Sequence, residues 1–280
     1  MKLTGKEVVA KMTEQGLQDV KDLLLAGVSP CLAILRVGQN PDDMAYERSA
    51  IKKSAALGIT CESIVLPEDA CFELIKNAIL SINSNPLIHG CLMLRPLPKN
   101  INEQAICDLL DPTKDIDGIS TASLGAVFMD KDYGYAPCTA GACIQMLDHY
   151  NIVPKGKNVV VVGRSLVIGK PVAAMLLRRH ATVTTCHSAS QDLPDIMKTA
   201  DIVICATGRP KAYTAQCFSP GQVVLDVGIN FTEEGMCGDV DYESVSPIVD
   251  SITPVPGGLG AVTTAVLLSN LLDAAKKSIQ

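Results

Sequence analysis

The chain predicts a two-lobed α/β protein, with an N-terminal α/β lobe followed by a second, doubly wound one, and three observations predict it. Apolar runs without polar alternation recur between helical segments, the pattern of strands in a parallel sheet covered by helices on both faces. The 280 residues, 48% of them hydrophobic, are enough for two short globular lobes. A stretch rich in Asp, Gly and Pro, residues 112–139, divides the alternation into two series.

In order along the chain, an amphipathic helix ends near Gly27, "CLAILRV" reads as a strand, Tyr46 to Leu57 as a helix and "TCESIVL" as a strand. Phe72 to Ile82 reads as a helix and "IHGCLMLR" as the next strand. Residues 112–139, with "DPTKDIDGIS" and "MDKDYGYAPCTA", read as a loop over a cleft. A helix from about Gly141 to Tyr150 leads into the second series: strand "KNVVVVG", a helix from about Gly169, strand "TVTTC", a helix, then strands "DIVICATG" and "GQVVLDVG". After the turn "PVPGGLG" a long apolar helix, about Ala261 to Lys277, is expected to pack back across the lobes.

Net charge and cysteine usage narrow the function. A formal charge of −6 and no basic stripe argue against a nucleic-acid partner, while leaving a small anionic ligand open through local positive charge. The eleven cysteines include no CxxC pair and sit in apolar runs, so they read as small core residues of a cytoplasmic protein, with no metal site expected. The start "MKLTGKEVVAKMTEQG" lacks a signal-peptide stretch and no segment reads as membrane-spanning, so neither export nor a membrane partner is expected.

The segment "VVVVGRSLVIGKP" places Gly163 at the end of a strand and Gly169 at the opening of a helix, where missing side chains let a pyrophosphate approach the helix N-terminus. The spacing is not GxGxxG, and on pattern alone it is either a dinucleotide site or simply a turn. Its surroundings favour the former. The second strand, "TVTTC", is followed by His187 and Ser188 instead of the acid that holds ribose hydroxyls in NAD-specific lobes. Arg164 stands where an adenosine 2′-phosphate would lie, so NADP is expected over NAD.

Taken together, "VVVVGRSLVIGKP", "TVTTCHS", "DPTKDIDGIS", "DVGIN" and "ITPVPGGLG" resemble the methylenetetrahydrofolate dehydrogenase/cyclohydrolase family over essentially the whole chain. The resemblance implies a folate-binding lobe, residues 1–140 with 262–280, and a Rossmann-like NADP lobe, 141–261, with the last helix returning to the first lobe. It also implies a homodimer that oxidises methylenetetrahydrofolate with NADP, in many members followed by hydrolysis of the methenyl product. Arg164 and Ser165 match the family's phosphate-binding turn, with His187 and Ser188 beside the adenosine and Ile229 of "DVGIN" beside the cofactor. Asp117 matches the aspartate that holds the pterin, a role that suits a carboxylate facing an aminopyrimidine edge, although a loop-capping aspartate is the plainer reading. Pro256, Gly257 and Gly258 match a turn bordering folate and nicotinamide, and Tyr46 the active-site tyrosine.

The substrate lobe departs from the family's pattern. Four residues after the tyrosine, where the resemblance implies the catalytic lysine, stands Ala50; Leu94 of "LRPLP" replaces a glutamine, and Asp43 a serine. In "GLGAVT", Ala261 and Val262 replace the usual proline and methionine. Lys53, two turns beyond Tyr46, returns to the tyrosine's face of the helix. The expected activity is therefore NADP-linked dehydrogenation with weak or absent cyclohydrolase. The alternatives are a bifunctional enzyme using Lys53, an NADP-linked reductase of another substrate, or a non-catalytic NADP/folate-binding protein.

Overall fold

Two compact units make up the computed structural model, which describes residues 1–233 and 235–279. One comprises Met1–Ala10 and Cys138–Val266, the other Lys11–Pro137 and Leu267–Gln280. The first ten residues, read from sequence as part of the substrate lobe, cluster instead with 138–266, because Leu3 N donates to Ile252 O at 2.9 Å and Gly5 N to Gly257 O at 2.8 Å.

Following α1 (Gly5–Leu25), the unit of Lys11–Pro137 is built on β1 (Cys31–Val37), α2 (Pro41–Leu57), β2 (Thr60–Leu66), α3 (Phe72–Ser84) and β3 (Gly90–Met93). The strands form a parallel sheet in the order β2-β1-β3. Ala33, Leu35, Cys91 and Met93 of this sheet are buried against Ile75, Ile79 and Ile82, which recur on one face of α3. Helix α2 starts five residues earlier than Tyr46, because Asn40 Oδ1 accepts from Asp42 N at 2.8 Å and Pro41 occupies the first helical position. It stops at Gly58, whose φ of 81° is left-handed. Strand β3 is shorter than "IHGCLMLR", ending before Leu94.

Two short helices, α4 (Glu103–Cys107) and α5 (Thr121–Met129), precede α6 (Cys138–His149). The presence of α5 corrects the reading of 112–139 as a loop: Ser120 caps it, its Oγ accepting from Ser123 N at 3.2 Å.

The other unit continues from α6 through β4 (Asn158–Val162), α7 (Gly169–Arg178), β5 (Thr182–Cys186), α8 (Leu193–Lys198), β6 (Ile202–Cys205) and β7 (Val223–Asp226). A hairpin of β8 (Asn230–Thr232) and β9 (Gly235–Cys237), then α9 (Tyr242–Val245), β10 (Ser251–Ile252) and α10 (Leu259–Lys277), complete the chain. The main sheet is parallel with order β10-β7-β6-β4-β5. Strand β4 is thus flanked by β5 and β6, the order reversal that opens a crevice at the strand ends of doubly wound sheets. The three-stranded sheet reverses in the same way about β1. No helix among the described residues is long and apolar enough to cross a membrane.

Candidate active site

The turn of Gly163–Gly169 and the start of α2 follow directly from the strands at these two switch points. At the end of β4, Gly163 has a φ of 136°, and a Cβ there would overlap the carbonyl oxygen of Ala206, the residue after β6. A Cβ on Gly169 would overlap the carbonyl of Gly163. The two glycines therefore let the 163–169 turn fold onto itself, leaving Arg164 and Ser165 exposed ahead of α7. Ser165 Oγ accepts from Ile168 N at 3.2 Å, which holds the turn closed.

The neighbouring strand end supplies a second turn. His187 N donates to Ser190 Oγ at 2.9 Å, and His187 Nδ1 accepts from Ala189 N at 3.2 Å, so a neutral imidazole carries its hydrogen on Nε2. Ser188 is exposed beside it. A cradle that Cβ atoms would fill, a guanidinium, hydroxyls and a ten-residue helix opening at the switch point suit a phosphorylated dinucleotide. Ile229 is 51% exposed, and a Cβ on Gly260 would lie 3.0 Å from its Cδ1. In the turn of Pro256, Gly257 and Gly258, Gly257 adopts a φ of 98° and Gly258 sits too close to Pro254 O for any side chain.

Behind these loops lies a network that motif reading did not single out. Asp239 and Asp226 are both buried. Asp239 Oδ2 accepts from Thr207 N, Thr207 Oγ1 and Gly208 N, while Oδ1 accepts from Arg209 N and Asn230 Nδ2. It thereby ties the loop after β6 to the start of β8.

In the other unit, the end of β1 turns into α2, and Tyr46, Ala50 and Lys53 lie along one side of that helix. Tyr46 is 39% exposed, whereas Ala50 is 0% exposed and packed shut. Lys53 reaches the surface, and desolvation by the surrounding protein lowers its pKa below the ordinary lysine value. Asp43, half-buried one turn before Tyr46, has its pKa raised by desolvation and by Asp42, with Arg36 opposing. Leu94 is buried, its N–H donating to Leu35 O at 2.9 Å.

An unexpected ion pair stitches this corner together. Arg36 Nε meets Glu47 Oε2 at 2.7 Å with both residues buried, and Arg36 also donates to Gly38 O. Burial opposes ionisation of Glu47, but hydrogen bonds from Ser63 and Arg36 and the Arg36 charge outweigh it and hold the pKa below the usual value. Eleven residues of separation with an intervening turn left no helical spacing by which sequence could pair them.

Asp117 lies between two fixed residues. Asp115 is fully buried, its Oδ1 accepting from Ile119 N at 3.0 Å and its Oδ2 from Ser120 N at 2.9 Å, so the loop-capping work falls to Asp115. Gly118 has a φ of 64° and leaves no room for a Cβ against the backbone of Tyr135 to Pro137. Asp117 itself is half-buried.

Comparison with known proteins decides the family. The model of the tetrahydrofolate dehydrogenase/cyclohydrolase catalytic domain matches residues 3–117, and that of its NAD(P)-binding domain residues 137–279. The chain belongs to the tetrahydrofolate dehydrogenase/cyclohydrolase family. Within this family it is 46% identical over 276 residues to the bifunctional protein FolD of Carboxydothermus hydrogenoformans, covering 98% of this chain and 96% of that protein. The solved bifunctional FolD methylenetetrahydrofolate dehydrogenase/cyclohydrolase of Campylobacter jejuni superposes with a TM-score of 0.97 at 35% identity, covering 99% of each chain. A second family structure, the methylenetetrahydrofolate dehydrogenase-cyclohydrolase of Trypanosoma brucei complexed with NADP cofactor and inhibitor, gives 0.93 at 31% identity, covering 100% of this chain and 98% of that one.

Proposed function

We propose that the protein oxidises methylenetetrahydrofolate to methenyltetrahydrofolate with NADP, as a cytoplasmic homodimer, and that hydrolysis of the methenyl product is weak or absent. The observation that carries the dehydrogenase reading is the self-folded Gly163–Gly169 turn, which presents Arg164 at the switch point of a doubly wound sheet. Arg164 and Ser165 hold the phosphates, His187 and Ser188 line the adenosine side, and Ile229 borders the cofactor. NADP, when bound, supplies the hydride acceptor. Asp117 holds the aminopyrimidine edge of the folate, Tyr46 lines its ring, and the turn of Pro256, Gly257 and Gly258 lets it lie close to the nicotinamide.

Oxidation removes a hydride from the methylene carbon and needs alignment of two carbons but no side-chain nucleophile. Hydrolysis is different. Water must add to the methenyl carbon and lose a proton, which calls for a group of suitable pKa in position. Ala50 is buried and has no proton to exchange, and the buried Leu94 has a wholly apolar side chain. One observation favours a second reading: the lowered pKa of Lys53 would suit it to proton transfer from the next turn of α2.

The deciding experiment measures NADP-linked oxidation and methenyltetrahydrofolate hydrolysis on the parent, on Lys53→Ala and on Ala50→Lys with Leu94→Gln. The proposal expects oxidation in the first two and hydrolysis rising at least about tenfold in the third. Parent hydrolysis as fast as oxidation, abolished in Lys53→Ala, would establish the second reading. No NADP reduction in the parent would overturn the dehydrogenase assignment.

A further inference from the structure

The unit of Lys11–Pro137 and Leu267–Gln280 contains a groove of about 910 Å³ that the proposed reaction does not use. It runs along the N-terminal edge of the three-stranded sheet, past Cys31 at the start of β1, Thr60 at the start of β2 and His89 just before β3. Tyr46, Leu94 and the end of β1 belong to the opposite edge of that sheet, so this is a separate site of a size ordinary for small ligands.

His89 is 8% exposed and lines this groove. Its Nδ1 accepts from Cys31 N at 3.2 Å, which puts the hydrogen of a neutral ring on Nε2. Burial first, and the Lys114 charge second, lower its pKa and keep it neutral. Nε2 makes no hydrogen bond among the described residues. This N–H is open to the groove and is free to donate to an acceptor there.

The lining is mixed in character. The Glu62 carboxylate has no ion pair or hydrogen bond among the described residues, and Val28 and the exposed Leu87 also line the groove. Tyr133, Tyr135 and Asp132 line it as well. The Tyr135 ring is held from both ends: its hydroxyl bonds Asp273 Oδ2 at 3.1 Å, and Lys277 Nζ lies 5.1 Å from the ring centroid while pairing with the same carboxylate at 2.7 Å.

Both cations of the groove are committed. Lys114 gives its ammonium hydrogens to the carbonyls of Ile82, Asn83 and Asn85 at 2.7, 2.9 and 2.7 Å, and Lys277 is bound to Asp273. With no ion pair on Glu62 or Asp132 among the described residues, a phosphate would be repelled. The outward N–H of His89 asks for an acceptor atom on the ligand. A molecule with a flat ring for the tyrosines, an acceptor for His89 and adjacent hydroxyls for the two oxygens of Glu62 complements these groups.

We propose that this groove binds a neutral nucleoside, with its base against Tyr133 and Tyr135, its ribose diol on Glu62, and an acceptor atom between them taking the hydrogen of His89 Nε2.

The test uses adenosine on the full chain saturated with NADP, so that the dinucleotide unit is already filled. With four histidines in the sequence, the imidazole nitrogen–proton correlations are few enough to follow individually. Adenosine is expected to shift the His89 signal saturably. The Kd should rise at least about tenfold for 2′,3′-dideoxyadenosine, for AMP and for the Glu62→Gln variant, whose exposed position leaves the fold intact. Absence of a saturable His89 shift at millimolar adenosine overturns the proposal. So does equal binding of adenosine and its dideoxy analogue, tighter binding of AMP, or an unchanged Kd in Glu62→Gln.

Discussion

The backbone N–H of Asp239 donates to Asp226 Oδ1 at 3.0 Å, so one buried carboxylate holds the main chain of another. Val240 N donates to Oδ2 of the same carboxylate at 2.9 Å and Gly228 N to Oδ1 at 3.1 Å. Desolvation nevertheless outweighs these bonds and, with the Asp239 charge adding to it, pushes the Asp226 pKa up to about 7.

This fixes the sign of a pH dependence. The folded-state pKa lies above the unfolded value, so the stabilisation is complete below about pH 4 and is lost as pH rises through about 7. In urea denaturation between pH 5 and 8, the parent should lose roughly 2–3 kcal/mol relative to Asp226→Asn, which cannot titrate. Parallel curves for the two proteins would show that Asp226 stays ionised throughout.

Replacement of Gly163 by Ala forces a side chain at a φ of 136° into the carbonyl of Ala206. The expected cost is about 1–3 kcal/mol for the strained backbone alone, with NADP binding weakened or lost in calorimetric titration. Gly125 is the control: it sits inside α5 with nothing within 4 Å of a new Cβ, so Gly125→Ala should stabilise by about 0.5–1 kcal/mol. Equal effects at the two positions would mean that the turn tolerates a side chain.

Arg164→Ala should raise KM for NADP roughly 10- to 100-fold while changing that for NAD little, because only NADP carries the 2′-phosphate that a guanidinium can clamp. Equal losses with both cofactors would assign Arg164 to the shape of the turn.

For the buried pair of Arg36 and Glu47, Arg36→Leu or Glu47→Leu alone should cost about 3–5 kcal/mol, since each leaves an uncompensated buried charge. The double substitution should recover most of that loss in a denaturation cycle. Because the Glu47 pKa lies below its unfolded value, the pair's contribution is present above about pH 4.5 and disappears as pH falls through the folded pKa. Additive losses in the double variant would show that the two charges do not act together.

The strands were legible because parallel-sheet strands are continuous apolar runs, and "CLAILRV" and "VVVV" have few other readings. Helix α5 was hidden because "TASLGAVFM" leaves Phe128 and Met129 exposed and so shows no clean apolar face. The hairpin β8–β9 and the two-residue β10 are too short to carry a period. At the site, Gly163 and Gly169 announced themselves through residue type, since only glycine meets their sterics. Asp239 gave no such signal: its role comes from partners up to 32 residues away that only the folded loops bring within reach.

The Arg36–Glu47 contact also constrains how this sequence could have been reached. A lineage that acquired either charge first would carry a desolvated ion without a partner, and selection would remove it. Both changes had to arrive nearly together, or through an intermediate with a polar, uncharged side chain at one of the two positions. Relatives should therefore hold both charges or neither, and hybrids that exchange residues 36 and 47 separately between such relatives should fold worse than either parent.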